Sequence, residues 1–88
     1  MKKFSIELKK TAAAKLQKLP SSVRTRIVKA LRELEDSLFP AGKKVKPFVG
    51  RPKTYRLRVG DYRLVFTVEG RLITVLDVFH RKDLDKFD

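Results

Sequence analysis

Cysteine and tryptophan are absent from this 88-residue chain, and histidine occurs only once, at His80. Without cysteine the chain has neither a disulfide framework nor a thiolate nucleophile. A single histidine also excludes the usual zinc-binding spacings. The remaining set of ligands, His80 with Asp77, Asp83 and Asp85, is disfavoured for a cation because the chain is strongly positive. The sequence therefore predicts no metal site, and without a glycine-rich phosphate loop it predicts no cofactor.

Long apolar segments are missing as well. The N-terminal stretch MKKFSIELKK contains no apolar run of the length found in signal peptides. No segment approaches the roughly 18–20 apolar residues that cross a bilayer. We therefore expect a cytoplasmic protein that does not associate with membranes.

Acidic residues are scarce. The chain has 10 aspartate and glutamate residues against 22 lysine and arginine residues, which gives a net charge of +12. A charge of this size on a small domain repels itself, and a polyanionic partner is the usual reason to keep it. Apolar residues make up 42% of the chain, which is enough for one modest core. The composition therefore predicts a single domain over residues 1–88 that binds nucleic acid or an acidic protein.

Residues 55–81 predict three antiparallel strands joined by two tight turns. Gly60-Asp61 and Glu69-Gly70 are two-residue connections of the kind that close β-hairpins. Glycine favours such turns because it accepts a positive φ at little steric cost.

The two turns also predict which side chains face each other. Arg58 is expected opposite Arg63 in the first hairpin, and Leu64 opposite Val75 in the second. Side chains alternate between the two faces of a sheet, so one face should be apolar throughout. This core face is expected to carry Tyr55, Leu57, Val59, Tyr62, Leu64, Phe66, Ile73 and Val75.

The other face carries arginines above an apolar floor. Arg58 opposite Arg63 costs up to about 1 kcal/mol, because like charges repel across a ladder. A sheet keeps such a pair where water screens it or where it binds an anion. Continued alternation places His80 on this face and Arg81 on the core face, unless the strand stops or twists near His80. The predicted members are Arg56, Arg58, Arg63, Thr67 and Thr74, with Val65, Leu72, Leu76 and Val78 beneath them.

The first part of the chain predicts one strand and two helices. Alternation over residues 4–8 indicates a strand, and apolar residues at helical spacing indicate helices over residues 9–19 and 21–38. Ser21 or Ser22 is the expected N-cap of the second helix. The predicted fold class is α+β: a small antiparallel sheet in the order β-α-α-β-β-β, with a helical hairpin packed on one face.

Residues 39–53 are predicted to form a loop, because proline and glycine interrupt every regular period there. The segment carries several basic residues and no acidic one. It is either a solvated connector or a basic arm beside the sheet. Phe48, its bulkiest apolar residue, is expected to anchor it to the core.

The chemistry that remains is a metal-free group of guanidinium side chains near one imidazole. Arginine offers up to five N–H donors in a fork that fits a phosphate. Several arginines can stabilise the additional charge of a pentacoordinate phosphate, and RNA supplies its own nucleophile in the 2′-OH. Arginine is a poor base, whereas histidine ordinarily titrates near neutral pH. His80 is therefore either catalytic or a strand-end residue that makes one backbone hydrogen bond.

Two motifs resemble those of a known family. The segment YRLRVGDYRLVF, followed after a second hairpin by VLDVFHRKD, resembles the RelE/ParE superfamily of toxins from type II toxin–antitoxin systems. RelE-like members cleave ribosome-bound mRNA without a metal, through the RNA 2′-OH, whereas ParE-like members share the fold and poison DNA gyrase. The resemblance implies a RelE-like mRNA endoribonuclease. The alternatives are a gyrase poison and an inactive relative that only binds an antitoxin.

The resemblance also assigns roles to residues. Arg56 and Arg58 correspond to basic residues near the 2′-OH of the substrate. Arg63 corresponds to the arginine that stabilises transition-state charge, and Arg81 to the arginine near the leaving 5′-oxygen. His80 matches the histidine of a His-Arg pair found in many members.

One departure from the family lies near the C-terminus. Where many members have a tyrosine, this chain has Asp85 or Phe87, and Phe87 can stack on RNA but offers no hydroxyl group. The expected site therefore comprises catalytic Arg58, Arg63, Arg81 and His80, and RNA-binding Arg56, Lys53, Arg51 and Phe87.

The implied partners are ribosome-bound mRNA and a cognate antitoxin whose toxin-binding segment is acidic. Lys15, Arg24 and Lys29 on the predicted helices are candidate contacts for the antitoxin. An edge of the sheet is another candidate contact, because it can accept an additional strand.

Overall fold

The computed structural model describes residues 2–38 and 44–86, with the backbone alone at 44 and 84–86. None of the helices in these two ranges is long and apolar enough to cross a membrane. The elements in chain order are strand β1 (Ser5–Leu8), helices α1 (Lys10–Gln17) and α2 (Ser21–Asp36), strands β2 (Lys44–Pro47), β3 (Thr54–Val59), β4 (Tyr62–Glu69) and β5 (Leu72–His80), and a 3-10 helix (Arg81–Lys86).

The strands form a five-stranded sheet in the order β1-β5-β4-β3-β2. Strands β2 to β5 are antiparallel neighbours, whereas β1 is parallel to β5. The α+β class is confirmed, with both helices packed on the sheet in one core. Two features differ from the prediction, because the sheet is mixed instead of wholly antiparallel and β2 is an additional strand.

Both differences have a physical reason. No hairpin joins β1 to β5, so no tight turn forces this pair to be antiparallel. β2 lies in the segment predicted to be a loop, yet Lys44, Val45 and Lys46 alternate with the period of a strand. Val45 lies opposite Leu57 and packs against the core, whereas Lys46 is exposed.

The helices bury the apolar residues that recur along one side of each. The N-cap prediction was wrong, because Pro20 precedes the first turn without any side-chain cap and Ser21 is already helical. Arg24 of α2 links the helices by donating from Nη1 to the carbonyl oxygens of Gln17 at 3.2 Å and Leu19 at 3.4 Å. The buried helical residues are Ala12, Leu16, Ile27, Ala30, Leu31 and Leu34.

The first hairpin of the meander has the predicted register. Arg58 lies opposite Arg63, and Val59 lies opposite Tyr62. Gly60 is the first residue of the connecting turn and has a φ of +58°. A side chain is strained at this φ, so glycine suits the position.

The turn of the second hairpin lies one residue later in the chain than predicted. Glu69 pairs with Leu72, so the turn residues are Gly70 and Arg71. Gly70 also has a φ of +58° and, like Gly60, is the first residue of its turn. For residues 66–68 of β4 the partner on β5 is therefore two residues later than predicted, which leaves the faces of these side chains unchanged.

A β-bulge then reverses the faces of the last part of β5. Phe66 pairs with Val75 and Val65 pairs with Asp77, so Leu76 is an extra residue with no partner on β4. Faces alternate with period two, so one extra residue moves every later side chain to the opposite face.

The bulge corrects the prediction for Val78. This residue was expected beneath the arginines, but it is 2% exposed and belongs to the core. It pairs with Leu64, which was expected opposite Val75.

The bulge also corrects the predictions for the end of β5. His80 was expected on the arginine face, but it lies opposite Tyr62, which packs against the core on the helix side. Phe79 lies opposite Arg63. Because Arg81 is two residues beyond Phe79, it follows onto the arginine side without a break in the alternation.

Asp77 holds the bulge in place. Its Oδ1 accepts a hydrogen bond from the Val78 N–H at 2.8 Å and pairs with Lys15 Nζ of α1, also at 2.8 Å. The Asp77 side chain is only 16% exposed, so the charge-assisted bonds are partly shielded from water. One carboxylate therefore ties the irregular strand to α1.

Replacing Asp77 with alanine is expected to lower the free energy of unfolding by about 1–3 kcal/mol, because the buried Val78 N–H loses its acceptor. Asp77→Asn keeps an acceptor oxygen and should lose less. Urea denaturation measures both, with exposed Glu7→Ala as the control. An Asp77→Ala variant as stable as Glu7→Ala would show that the bulge does not need this carboxylate.

Candidate functional site

Basic side chains lie in rows across the sheet face opposite the helices. Arg58 of β3 is exposed, and Arg63 beside it on β4 is half-buried. Arg56 lies two residues before Arg58 on the same face and is also half-buried. The edge strand β2 extends the rows, because Lys46 lies opposite Arg56.

Two carbonyl groups hold the Arg63 guanidinium beside the β3–β4 turn. Its Nη1 donates to the carbonyl oxygens of Gly60 and Tyr62, each at 3.0 Å. Within the part of the chain that the structure describes, these are the hydrogen bonds of this guanidinium, so Nη2 and Nε remain available to a ligand. The fork of donors is therefore fixed in place before any anion binds.

The electrostatics of Arg63 show that other guanidinium groups approach it. Burial lowers the pKa of Arg63, and the positive charges of Arg58, Arg56 and Arg81 lower it further, while Asp61 acts in the opposite direction. Arginine nevertheless stays protonated at ordinary pH. We call Arg56, Arg58, Arg63 and Arg81 the arginine cluster, and a bound anion would offset the repulsion within it.

Arg81 joins the cluster from the start of the 3-10 helix. Its backbone N–H donates to the carbonyl oxygen of Asp61 at 2.7 Å. Its Nε lies 3.6 Å from Asp61 Oδ1, with both side chains mostly exposed. An exposed pair of this kind contributes little stability, so an anionic ligand can replace Asp61 at small cost.

His80 does not join the cluster. Its ring meets the Tyr62 ring edge-on, with centroids 5.2 Å apart, on the helix side of the sheet. Its Nδ1 accepts a hydrogen bond from the Lys82 N–H at 3.1 Å. The prediction that His80 lies among the arginines is therefore wrong, and the residue instead orders the backbone immediately after Arg81.

Two of the expected RNA-binding residues lie at the far end of β3. Arg51 and Lys53 belong to the β2–β3 turn, and six strand residues at about 3.3 Å each separate them from Gly60 by roughly 20 Å. The Arg51 guanidinium lies 5.5 Å from the centroid of the half-buried Phe48 ring. Phe48 was expected to anchor this segment to the core. It is not part of the core cluster, and Val45 packs against the core instead.

The remaining expected contact, Phe87, lies outside the described residues, and so does the side chain of Asp85. Sequence reasoning missed two features of the site. The alternation of Lys44, Val45 and Lys46 was a signal that could have placed Lys46 beside Arg56. No pattern in the sequence indicated that Arg26 of α2 contacts Gly60.

Known proteins match this chain over most of its length. The curated toxin RelE3 of Methanocaldococcus jannaschii is 34% identical over 77 residues, which cover 85% of this chain and 88% of that toxin. The family model for the ParE toxin of type II toxin–antitoxin systems (parDE) matches residues 6–85. The chain belongs to the RelE/ParE superfamily of toxins.

Solved structures share the fold of this RelE/ParE toxin. The archaeal RelE–RelB complex of Pyrococcus horikoshii matches with a TM-score of 0.80 and 26% identity, over 90% of this chain and 96% of the other. The RelB–RelE antitoxin–toxin complex of Methanococcus jannaschii matches with a TM-score of 0.78 and 31% identity, over 92% and 98%. Free Escherichia coli RelE, in a mutant form, matches with a TM-score of 0.74 and 27% identity, over 97% and 90%.

The arginine cluster gives this RelE/ParE toxin a defined chemical ability. The Arg63 guanidinium is fixed by two carbonyl groups, and the exposed guanidinium groups of Arg58 and Arg81 lie on the same open surface. Together they can bind a phosphodiester and stabilise charge that develops on it. Within residues 2–38 and 44–83, no three histidine or acidic side chains are gathered as ligands for a metal ion.

The cluster is expected to lower the stability of the free toxin. Arg58→Gln should raise the free energy of unfolding by a few tenths to about 1 kcal/mol at low salt, because Arg63 loses the like charge directly opposite. The gain should shrink at high salt, where the repulsion is screened. Thermal unfolding at two salt concentrations tests this.

The control is Arg71→Gln, which removes the same charge from an exposed turn outside the cluster. If the free energy of unfolding rises equally in both variants, the repulsion comes from the net charge of the protein. A larger gain in Arg58→Gln locates it in the cluster.

Proposed function

We propose that this toxin is a metal-independent endoribonuclease that cleaves mRNA on the ribosome, with the RNA 2′-OH as nucleophile. The observation that supports it best is the convergence of Arg58, Arg63 and Arg81 beside the Gly60-Asp61 turn. Such a cluster suits a phosphodiester and has no evident structural benefit, since its members repel one another.

In the proposed reaction the 2′-oxygen attacks the adjacent phosphorus and forms a P–O bond. The bond from phosphorus to the 5′-oxygen breaks, which leaves a 2′,3′-cyclic phosphate and a 5′-hydroxyl group. The 2′-OH loses its proton and the 5′-oxygen gains one. With His80 on the helix side, solvent or a group of the ribosome exchanges these protons, and the arginines supply charge stabilisation.

The members of the cluster have distinct proposed roles. Arg63, held by two carbonyl groups, binds a non-bridging oxygen and stabilises the charge of the pentacoordinate phosphorus. Arg81, held only by the exposed Asp61, moves to the leaving 5′-oxygen. Arg58 and Arg56 lie near the 2′-OH. Lys46 on the edge strand extends the path for RNA beyond Arg56.

His80 has a positioning role in this proposal. Its Nδ1 accepts the Lys82 N–H and its ring packs on Tyr62, so it sets the course of the backbone that carries Arg81. Arg51, Lys53 and Phe87 remain proposed RNA contacts. The first two can bind only the RNA that continues along the sheet towards the β2–β3 turn.

The proposed partner is a cognate antitoxin with an acidic segment that covers the cluster, in the cytoplasm where mRNA is translated. Several structural relatives are toxins in complex with an antitoxin, such as RelE with RelB. Exposed Lys29 remains a candidate contact on α2. Lys15 and Arg24 are less available, because Lys15 pairs with Asp77 and Arg24 donates to carbonyl oxygens at the end of α1 and in the connection to α2.

Arg63→Ala and Arg81→Ala are each expected to lower the rate of mRNA cleavage by roughly 10²–10³-fold, as the loss of one charge-stabilising donor does in other enzymes. Growth arrest on expression should disappear in both variants. Arg71→Ala is the matched control, and circular dichroism confirms that each variant is folded. Full toxicity of both cluster variants would refute the assigned roles.

The same expression experiment separates the second candidate function, a gyrase poison. The family model that matches the chain is named for ParE, which keeps this candidate open. Mapping of mRNA 5′-ends and a reporter of DNA damage are read in parallel. Discrete cuts in reading frames support the nuclease, whereas DNA damage with intact mRNA supports the gyrase poison. If neither mRNA cleavage nor DNA damage occurs at high expression, the protein is an inactive relative that only binds an antitoxin.

His80→Asn is expected to retain cleavage within about tenfold of the wild type, because the asparagine side chain can also accept the Lys82 N–H. If His80 transferred a proton in the reaction, the cleavage rate of His80→Asn would fall by roughly 10²–10⁴-fold, since asparagine cannot act as a base. Cleavage rates across pH 6–9 are the measurement. If the wild-type cleavage rate changes with pH and the rate of His80→Asn does not, His80 is a catalytic residue and the positioning role is wrong.

A further inference from the structure

Arg26 of α2 lies against the turn that organises the arginine cluster. A Cβ placed on Gly60 would lie 2.9 Å from Arg26 Nη2, 3.0 Å from Nη1 and 3.2 Å from Cζ. Gly70 has the same φ of +58°, but a Cβ there would meet nothing within 4 Å. Glycine at position 60 therefore suits the φ of the turn and also leaves the space that the Arg26 guanidinium occupies.

Two guanidinium groups approach this one glycine from different elements. Arg63 of β4 donates to the Gly60 carbonyl oxygen at 3.0 Å, while the Arg26 guanidinium lies over the position of the missing side chain. Arg26 is exposed, and within the two described ranges no carboxylate pairs with it. Its charge is therefore available to a ligand at the turn.

Arg26 lies outside the arginine cluster itself. The guanidinium groups that lower the pKa of Arg63 belong to Arg58, Arg56 and Arg81. Arg26 approaches the turn from the helix side, whereas these residues lie on the open face. A phosphate held by the cluster and a phosphate held by Arg26 would thus be different phosphates of one strand.

We propose that Arg26 is an RNA-binding residue that contacts a phosphate next to the one held by Arg58, Arg63 and Arg81, so that the RNA backbone passes over the Gly60-Asp61 turn. The absence of a side chain at Gly60 leaves room for the Arg26 guanidinium against the turn, where a phosphate of the RNA can reach it. This inference rests on the proposed function, since it extends the RNA path of the same site onto α2.

The test is the salt dependence of affinity for a short single-stranded RNA, measured by fluorescence anisotropy. Each phosphate contact contributes about 0.7 to the slope of log affinity against log salt for a single strand. Arg26→Gln should reduce the slope by about that amount, and Arg26→Lys should keep it. The control is Arg32→Gln, an exposed arginine of the same helix that lines a cleft with Lys2 and Glu35.

A second pair of variants tests the contact with the turn. Gly60→Ala and Gly70→Ala introduce the same backbone strain, but only Gly60→Ala displaces the Arg26 guanidinium. Gly60→Ala should therefore lower the salt slope as Arg26→Gln does, while Gly70→Ala should not. Combining Gly60→Ala with Arg26→Gln should lower the slope no further than either alone.

The outcomes separate the two proposals. A wild-type slope in Arg26→Gln, with RNA bound by the wild type, overturns the role of Arg26 and leaves the nuclease proposal intact. A slope reduced equally in Arg32→Gln also overturns it, because the effect would then follow net charge alone. A wild-type protein that binds no RNA, even at low salt, also overturns the role of Arg26, whereas the nuclease proposal is decided by the mapping of mRNA 5′-ends.

Discussion

The bulge in β5 is the constraint on which the rest of the site depends. One extra residue, Leu76, reverses the alternation of the strand end, so Val78 enters the core and Phe79 turns to the arginine side. Arg81 can then reach Asp61 while the chain continues directly into the 3-10 helix. A regular strand would have directed Arg81 towards the helices. The irregularity therefore costs one unpaired ladder position and places a third arginine beside the first two.

The site is arranged against the stability of the free protein. Arg58 and Arg63 face each other without an intervening acid, and the Asp61 carboxylate acts against the lowering of the Arg63 pKa. The core on the other face, with Leu64 and Phe66 fully buried, supplies the stability that tolerates this repulsion. An anion, whether RNA or an acidic antitoxin segment, would relieve the same repulsion, so one surface suits both proposed partners.

The sequence was sufficient to predict what local rules determine. The Arg58–Arg63 pair followed from a two-residue turn beginning with glycine, and the helices followed from their apolar spacing. The prediction of the second turn was wrong because the pairs Glu69-Gly70 and Gly70-Arg71 contain the same glycine. The two turns differ only in whether this glycine is the second or the first turn residue. The bulge left no local signal, and the contact of Asp77 at the bulge with Lys15 of α1 joins residues that are far apart in the sequence. Long-range contacts of this kind, like that of Arg26 with Gly60, need the folded chain.

The position of His80 changes what the proposed catalysis requires. A cluster of guanidinium groups lowers the barrier by stabilising charge, but it neither removes the 2′-OH proton nor aligns the attacking oxygen with the leaving one. The cluster lies on an open sheet face, where Arg58 and Arg81 are exposed and no imidazole is present. Alignment must then come from whatever holds the RNA. A ribosome that presents mRNA in one conformation would supply that constraint, which is why the proposal assigns the alignment of the RNA to the ribosome and the charge stabilisation to the toxin.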